Sequence, residues 1–342
     1  MAGFFAALKK GHFVIYELIG GVKTLSVIGM CKNAGKTTVL NSAILECEER
    51  GETLGLTSIG RDGERSDLVT NTKKPEIFVK EGAVIATAEG LVPYGDVSRE
   101  ILEKTGIPTP MGEIIIFRAR SSGFVQLGGA STTQQQKQLR DALFGFGCTR
   151  VLIDGAISRK SLGNPALADG VILSSGASYD PDMEKTAADT AYIASLFSLK
   201  EAGVTVSGGT RFEAVTERGR FFADELNELT EPLKAGAEWL IMNGAVTDMT
   251  ARELLNSAKL LKNTRLAAMD ASRLLLKKES FDKLTRFTRG FSVIKSTRLL
   301  AVTVNAFSAY GMHYDADEFI KKVRARLAEA GVSAQVLDVK NA

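Results

Sequence analysis

An apolar run, Thr24 to Ile28, passes without a linker into Gly29-Met30-Cys31-Lys32-Asn33-Ala34-Gly35-Lys36-Thr37-Thr38 and then into a helical pattern over Lys36 to Glu49. That pattern puts Val39, Leu40, Ala43, Ile44 and Cys47 on one face, with Gly51 just past its end. A strand that is apolar on both sides has to be buried on both faces, which requires parallel neighbours and helical crossovers. Thr53 to Ile59 reads as the next such strand. One short stretch therefore commits the chain to a β–loop–α–β unit with a glycine-rich turn at its bend.

The same alternation continues almost to the end of the chain, so the fold is expected to be α/β, with a mostly parallel, doubly wound sheet and a second α/β unit. Further strand candidates are Ala83 to Ala86, Glu113 to Phe117, Arg150 to Ile153 and Gly170 to Leu173, with a helix over Gln134 to Phe146. After about residue 200 the pattern restarts, giving strands at Glu238 to Met242, Leu266 to Met269 and Leu299 to Val304 and a last helix from Asp315 to Ala330. Val151-Leu152-Ile153-Asp154-Gly155-Ala156 is echoed by Trp239-Leu240-Ile241-Met242-Asn243-Gly244-Ala245. Two domains are expected, residues 1–205 and 206–342, with the boundary in the Ser207-Gly208-Gly209 neighbourhood.

A glycine-rich turn between a strand and a helix suits phosphate. The first N–H groups of the helix have no partner within it and point outward, so they can wrap phosphate oxygens. Asn33, Ala34, Gly35, Lys36, Thr37 and Thr38 are the candidate nucleotide-binding residues. Gly35 allows close approach, Lys36 supplies a positive charge to the β- and γ-phosphates, and the Thr37 hydroxyl is a natural Mg²⁺ ligand. The usual spacing asks for a second glycine five residues before Gly35, where Met30 stands, and Gly29 lies one position earlier. Cys31 sits at a helix N-terminus, where a thiol pKa is expected to fall.

Bound magnesium needs a carboxylate. Arg150-Val151-Leu152-Ile153-Asp154-Gly155 ends an apolar run with an acid at the strand's carboxyl edge, where α/β sheets bind ligands, so Asp154 is the first candidate. Arg61-Asp62-Gly63-Glu64 follows the second strand, and Asp62 is the candidate to touch the metal or position water, with Glu64 second. Catalytic candidates are thus Lys36, Asp62 and Asp154, and metal candidates Thr37, Asp154 and Asp62. The segment Leu127-Gly128-Gly129-Ala130-Ser131-Thr132-Thr133 reads as an N-cap before the Gln134 helix or as a γ-phosphate-sensing switch, and Ser158, Arg159 and Lys160 carry the same ambiguity. Neither His12 nor His313 has a nucleophilic arrangement near it. The basic stretch Leu274 to Lys295 reads as a solvated helix face or a docking surface.

The loop resembles the GxKNSGKTT turn of the molybdopterin-guanine-dinucleotide adaptor family, and more broadly the dethiobiotin synthetase and ParA/MinD branch of P-loop NTPases. Part of that branch carries a lysine five residues ahead of the loop lysine that acts across a dimer; here Lys32 is four ahead, which favours a local role. Segment order, including Leu152-Ile153-Asp154-Gly155-Ala156 and Val304-Asn305-Ala306-Phe307-Ser308-Ala309-Tyr310-Gly311, resembles the P-loop subunit of the reactivating factors of adenosylcobalamin-dependent lysine 5,6-aminomutase. The resemblance implies a Mg²⁺-dependent ATPase that helps release damaged cobalamin from an inactivated mutase, with a homodimer or second subunit as further partner. No Asp-x-His-x-x-Gly corrinoid motif occurs, so the cobalamin would stay on the mutase. ATP ranks before GTP because no NKxD or TKxD motif follows the magnesium strand. The competing readings are a small-molecule synthetase or kinase and a P-loop scaffold that does not hydrolyse.

Composition narrows the rest. Lys plus Arg number 43 against 40 Asp plus Glu, a net charge of +3, too balanced for an electrostatic nucleic-acid binder. Three widely spaced cysteines and two histidines argue against a disulfide framework or a zinc site. In MAGFFAALKKGHF the basic pair follows the apolar stretch, the reverse of a secretory leader, and no run reaches the roughly 18 apolar residues of a membrane span. A reducing cytoplasm is the expected compartment.

Overall fold

The computed structural model describes residues 15–59, 77–155, 163–308 and 310–339. Helix α1 (Ile15–Ile19) leads into β1 (Thr24–Gly29), α2 (Lys36–Glu49) and β2 (Leu54–Ser58). There follow β3 (Ile77–Val79), β4 (Val84–Ala88), β5 (Arg99–Thr109), β6 (Gly112–Ala119), β7 (Gly123–Val125), α3 (Thr133–Gly145), β8 (Arg150–Asp154), β9 (Gly170–Gly176) and α4 (Met183–Phe197). The described residues up to 194 and from 298 onward form one compact unit, and 195–297 form another.

The first unit is α/β. Its sheet has nine strands in the order β18-β17-β9-β1-β8-β2-β4-β6-β5, where β17 is Arg298–Asn305 and β18 is Gln335–Asp338. Pairing is parallel from β18 through β4 and antiparallel from β4 to β6 and β5. Every residue of β1, β2 and β9 is buried, as central parallel strands require. Helix α2 covers one face, where Val39, Leu40, Ala43, Ile44 and Cys47 pack with Leu25, Val27, Leu54, Leu56 and Leu152. Burying each Leu or Ile contributes about 1.5–3 kcal/mol. Helix α3 lies on the opposite face: Gly55 alternates with Leu54 and Leu56, and a Cβ on it would sit 3.1 Å from Leu143 Cβ. The sheet is therefore covered on both sides. Its last strand, β5, is mostly exposed and carries Arg99, Glu100, Glu103 and Lys104, charges that discourage edge-to-edge pairing and that left no apolar signature.

The second unit is an insertion, not the C-terminal 206–342 expected from the sequence. The chain leaves it at residue 297 and returns to the large sheet, where β17 pairs parallel with β9 and β18 pairs parallel with β17. The physical reason is the apolar run Ala301, Val302, Thr303, Val304, fully buried, which needs a strand on each side. Helix α9 (Ala316–Glu329), capped by Asp315, joins the two last strands.

Taken by itself, the inserted unit is also α/β. Its strands β10 (Phe212–Thr216), β11 (Gly219–Ala223), β12 (Trp239–Met242), β14 (Arg265–Ala268) and β16 (Phe291–Val293) run in the order β11-β10-β12-β14-β16. The last three are parallel, and β10–β11 is a hairpin. Short pieces β13 (Val246–Thr247) and β15 (Leu274–Leu275) pair with each other, and α5 (Thr230–Lys234), α6 (Asp248–Asn256), α7 (Ala258–Leu261) and α8 (Lys278–Phe287) complete it. The echoed strand β12 ends at Asn243, whose Nδ2 donates to Thr210 O at 2.8 Å, a structural tie. On basic α8, Lys278 pairs with Asp282 and Lys283 with Glu279 while Leu284 turns inward, a solvated helix face. Among the described residues no helix is long and apolar enough to cross a membrane.

At the opposite edge of the large sheet from the glycine-rich turn, Arg150 opens β8 and ties three elements. Its guanidinium takes both oxygens of Glu52, at 2.7 and 2.8 Å, and donates to the carbonyls of Ile19 and Val22. The Tyr16 ring centroid lies 4.1 Å from the Arg50 guanidinium carbon and 5.7 Å from that of Arg150. Arg150 holds the Glu52 carboxyl below its ordinary range. Because that folded-state pKa is depressed, the contribution is full above the unfolded value of about 4.3 and is lost as pH falls through the folded one. Arg150→Met is expected to cost about 3 kcal/mol in denaturant unfolding, since it strands a nearly buried carboxylate and two carbonyls. In Glu52→Gln, the stability deficit relative to the parent chain should shrink as pH is lowered from about 5 towards 3.

Candidate functional site

The turn between β1 and α2 stands at the carboxyl edge of the large sheet. Met30 extends the strand by one bond, its N–H donating to Ser174 O of β9 at 2.7 Å, and its side chain is buried. Cys31 to Gly35 then turn the chain. Asn33 has φ 61° and Gly35 has φ 90°, so two of these five residues take the left-handed region that L side chains avoid. Asn33 is the single non-glycine residue of this kind among the described residues. Lys32 is exposed, Ala34 buried, and Asn33, Gly35, Lys36, Thr37 and Thr38 half-buried. Helix α2 starts at Lys36 with Gly35 as its cap, a residue with no side chain to accept from the first N–H groups.

The ammonium side chain of Lys36 lies back across the end of β1. A Cβ on Gly29 would fall 2.7–2.8 Å from Lys36 Cγ, Cδ and Nζ, and Nζ donates to Cys31 O at 3.1 Å. The glycine this turn needs is therefore Gly29, because the lysine stem occupies the space of its side chain. Met30, at the position of the usual glycine, continues the strand instead of lining the turn.

Asp154 ends β8, the strand directly beside β1. It is in register with Val27 on one side and Ser58 on the other. Gly155 N donates to Val27 O and Ile59 N to Asp154 O, both at 3.1 Å, so the main chain around the acid is fixed. Alternation along the strand puts Asp154 on the face of Leu152, the face that α2 covers and from whose first turn Thr37 and Thr38 come. The structure thus brings Asn33, Ala34, Gly35, Lys36, Thr37, Thr38 and Asp154 to one edge of one sheet. Asp62, with Arg61 and Glu64, lies outside the described residues, as do His12, Ser158, Arg159 and Lys160.

Three contributors escaped the sequence reading. Asn305, at the end of β17, donates from Nδ2 to Asn33 O at 2.9 Å. Val339, just past β18, leaves a Cβ on Gly35 only 3.0 Å of room. Gly176 lets the turn come close, since a Cβ there would meet Asn305 O at 2.9 Å and Ala34 Cα at 3.4 Å. A usable signal existed in Asn305: it closes an apolar run as Asp154 does. The segment Leu127–Thr133 resolves as a capped, packed turn. Thr132 Oγ1 accepts from Gln135 N, and Gly129 presses on Ser58 O so closely that a Cβ would lie 1.5 Å from it. His313 is exposed with its ring 5.0 Å from Phe307, a loop histidine.

Electrostatically the expectation for Cys31 is reversed. Burial pushes its thiol up to about 11, against a smaller downward pull from Lys36. Burial also raises Cys47 to about 12 and Cys148 to about 11. Nearby, burial and the hydrogen bond to Asp189 push Tyr179 up to about 12. Among the described residues no three His, Cys, Asp or Glu side chains converge as a metal cluster. A magnesium ion that keeps water and takes ligand oxygens needs only one or two protein groups, and Thr37 and Asp154 could hold it so.

Alkylation of Cys31 by iodoacetamide at pH 7.5 is expected to run roughly a hundredfold slower than for a free thiol and to go on rising beyond pH 10. Lys36→Met should slow it further, because the ammonium is what lowers the thiol pKa; peptide mass spectrometry reads both rates. No family model matches the chain, and neither a curated protein nor a solved structure does.

Proposed function

We propose that this chain is a P-loop NTPase that binds a nucleoside triphosphate with Mg²⁺ at the Asn33–Thr38 segment and hydrolyses it, ATP before GTP. The observation that carries the reading is the pairing of Lys36, seated over Gly29, with Asp154 on the adjacent strand and on the α2 face. A second supports it: Asn33 Nδ2 is buried with no acceptor among the described residues, a donor suited to a phosphate oxygen.

In this reading the N–H groups of the turn and of the first turn of α2 grip the β- and γ-phosphates. Lys36 exchanges the Cys31 carbonyl for phosphate oxygens. Thr37 and Asp154 would hold the ion, which when bound would supply positive charge against the negative charge developing on the phosphate oxygens. A water oxygen bonds to the γ-phosphorus while the bridging oxygen leaves with its electron pair on the diphosphate; the water gives up one proton, and orthophosphate departs. Asp62 is the candidate to orient that water. The chain's work is positioning and charge, with no covalent intermediate.

The use made of hydrolysis rests on the resemblance to aminomutase reactivating factors: ordering and release of loops around the γ-phosphate drive a partner enzyme's conformational equilibrium and free its damaged cobalamin. Free thiols at Cys31, Cys47 and Cys148 suit work in a reducing cytoplasm.

Lys36→Ala is expected to weaken Mg-ATP binding at least about a hundredfold, the size of one lost charge-assisted contact, in a chain that still folds cooperatively. Asp154→Asn should cut hydrolysis on the order of a hundredfold and leave Mg²⁺-free ATP binding intact. Calorimetry and phosphate release measure these. ATPase activity unaltered in Lys36→Ala would end the proposal. Stimulation by an added aminomutase supports the helper role, whereas turnover only with a metabolite acceptor would replace it by a kinase or synthetase.

A further inference from the structure

Resting on that reading, we infer that Asn305 is the positioning residue that holds the phosphate turn in its gripping conformation. The turn has to keep Asn33 left-handed, a conformation that costs a non-glycine residue free energy and persists only where its surroundings impose it. The bond from Asn305 Nδ2 to Asn33 O, 2.9 Å long, spans 272 residues of sequence and acts on the carbonyl of the strained residue itself. Fixing that carbonyl fixes the plane of the Asn33–Ala34 peptide, and with it the direction of the Ala34 N–H.

Asn305 is itself anchored. Its Oδ1 accepts from Phe307 N at 3.2 Å, so the two bonds together define which end of the amide is which. Its carbonyl accepts from Ala177 N at 2.9 Å, and it ends a strand whose register with β9 runs through Asn305 opposite Gly176. Gly176 is required here, because any side chain would strike Asn305 O and crowd Ala34. A rigid strand end, a glycine that lets the turn approach and one bidentate amide thus converge on the single strained residue of the turn. The same amide joins the turn to the backbone that leaves β17, so a change at residues 305–307 is transmitted to the phosphate grip.

The test compares Mg-ATP with Mg-tripolyphosphate, which has the phosphates and lacks base and ribose. Both are titrated calorimetrically into the parent chain, Asn305→Ala, Asn305→Asp and Thr303→Val, with unfolding midpoints measured in the absence of either. Thr303→Val is the control for β17, because it removes a buried bond from Thr303 Oγ1 to Ser174 Oγ without touching the turn. Asn305→Ala is expected to weaken both compounds equally, about tenfold, the equivalent of a hydrogen bond worth about 1.4 kcal/mol. Asn305→Asp keeps the acceptor for Phe307 N but sets a carboxylate against the Asn33 carbonyl, so it should be at least as damaging; it decides the matter if the alanine variant folds poorly. Thr303→Val should stay within twofold.

Weakening of Mg-ATP alone would overturn the inference, since it would mean a contact to base or ribose. Unchanged binding, or an equal loss in Thr303→Val, would overturn it too. If the parent chain binds neither compound, the nucleotide reading itself has failed and takes the inference with it.

Discussion

The approach of the Lys36 side chain to the main chain of Gly29 is the constraint on which the carboxyl edge of the large sheet depends. The stem fills the volume where a side chain on Gly29 would be, and its ammonium returns to Cys31 O, closing the turn over the strand that leads into it. That closure demands left-handed backbone at Asn33 and Gly35, since five residues have to reverse the chain between a buried strand and a buried helix. The neighbouring strand ends are shaped to the result: Val339 lies on Gly35, and Gly176 and Asn305 lie on Asn33 and Ala34.

Much of this was legible in the sequence because it is local. The strand–turn–helix, its helix boundaries and the acid at the end of β8 follow from apolar period and turn chemistry, which act over a few residues. The departure at Met30 was visible as well, but its resolution was not: only the path of the Lys36 stem shows that Gly29 is the position required. Asn305 and Val339 were hidden for the opposite reason. They come from strands about 270 and 300 residues away, and which strand lies beside which is a property of the whole sheet. The domain boundary failed in the same manner, since nothing local marks Arg298 as the start of a strand that rejoins a sheet begun at Thr24. Polar β5 went unseen because an edge strand is defended by charge and lacks the apolar run that betrays a central one.

The insertion leaves and rejoins the chain next to neighbouring strands of the large sheet. A unit appended at a chain terminus is tethered once, whereas residues 195–297 follow α4, the helix after β9, and precede β17, and β9 and β17 are strands of the large sheet. These two strands adjoin, and both end at the glycine-rich turn: Ser174 takes Met30 N, and Asn305 holds Asn33 O. The strands that precede and follow the insertion in the chain are thus the pair whose carboxyl ends border the turn.

Strand β8 displays the division of labour that such a sheet imposes. Arg150 and Asp154 lie four residues apart, about 13 Å along an extended chain. At one end the guanidinium satisfies a carboxylate and two carbonyls, so its charge is consumed by structure. At the other, every peptide of a parallel strand points its C=O and N–H sideways into the ladder, and the end itself is closed by the main chains of Gly155 and Ile59. The main chain of Asp154 is thereby fixed from both neighbouring strands. The acid therefore stands at a fixed place on the face where α2 begins, set by the register of β8 between β1 and β2.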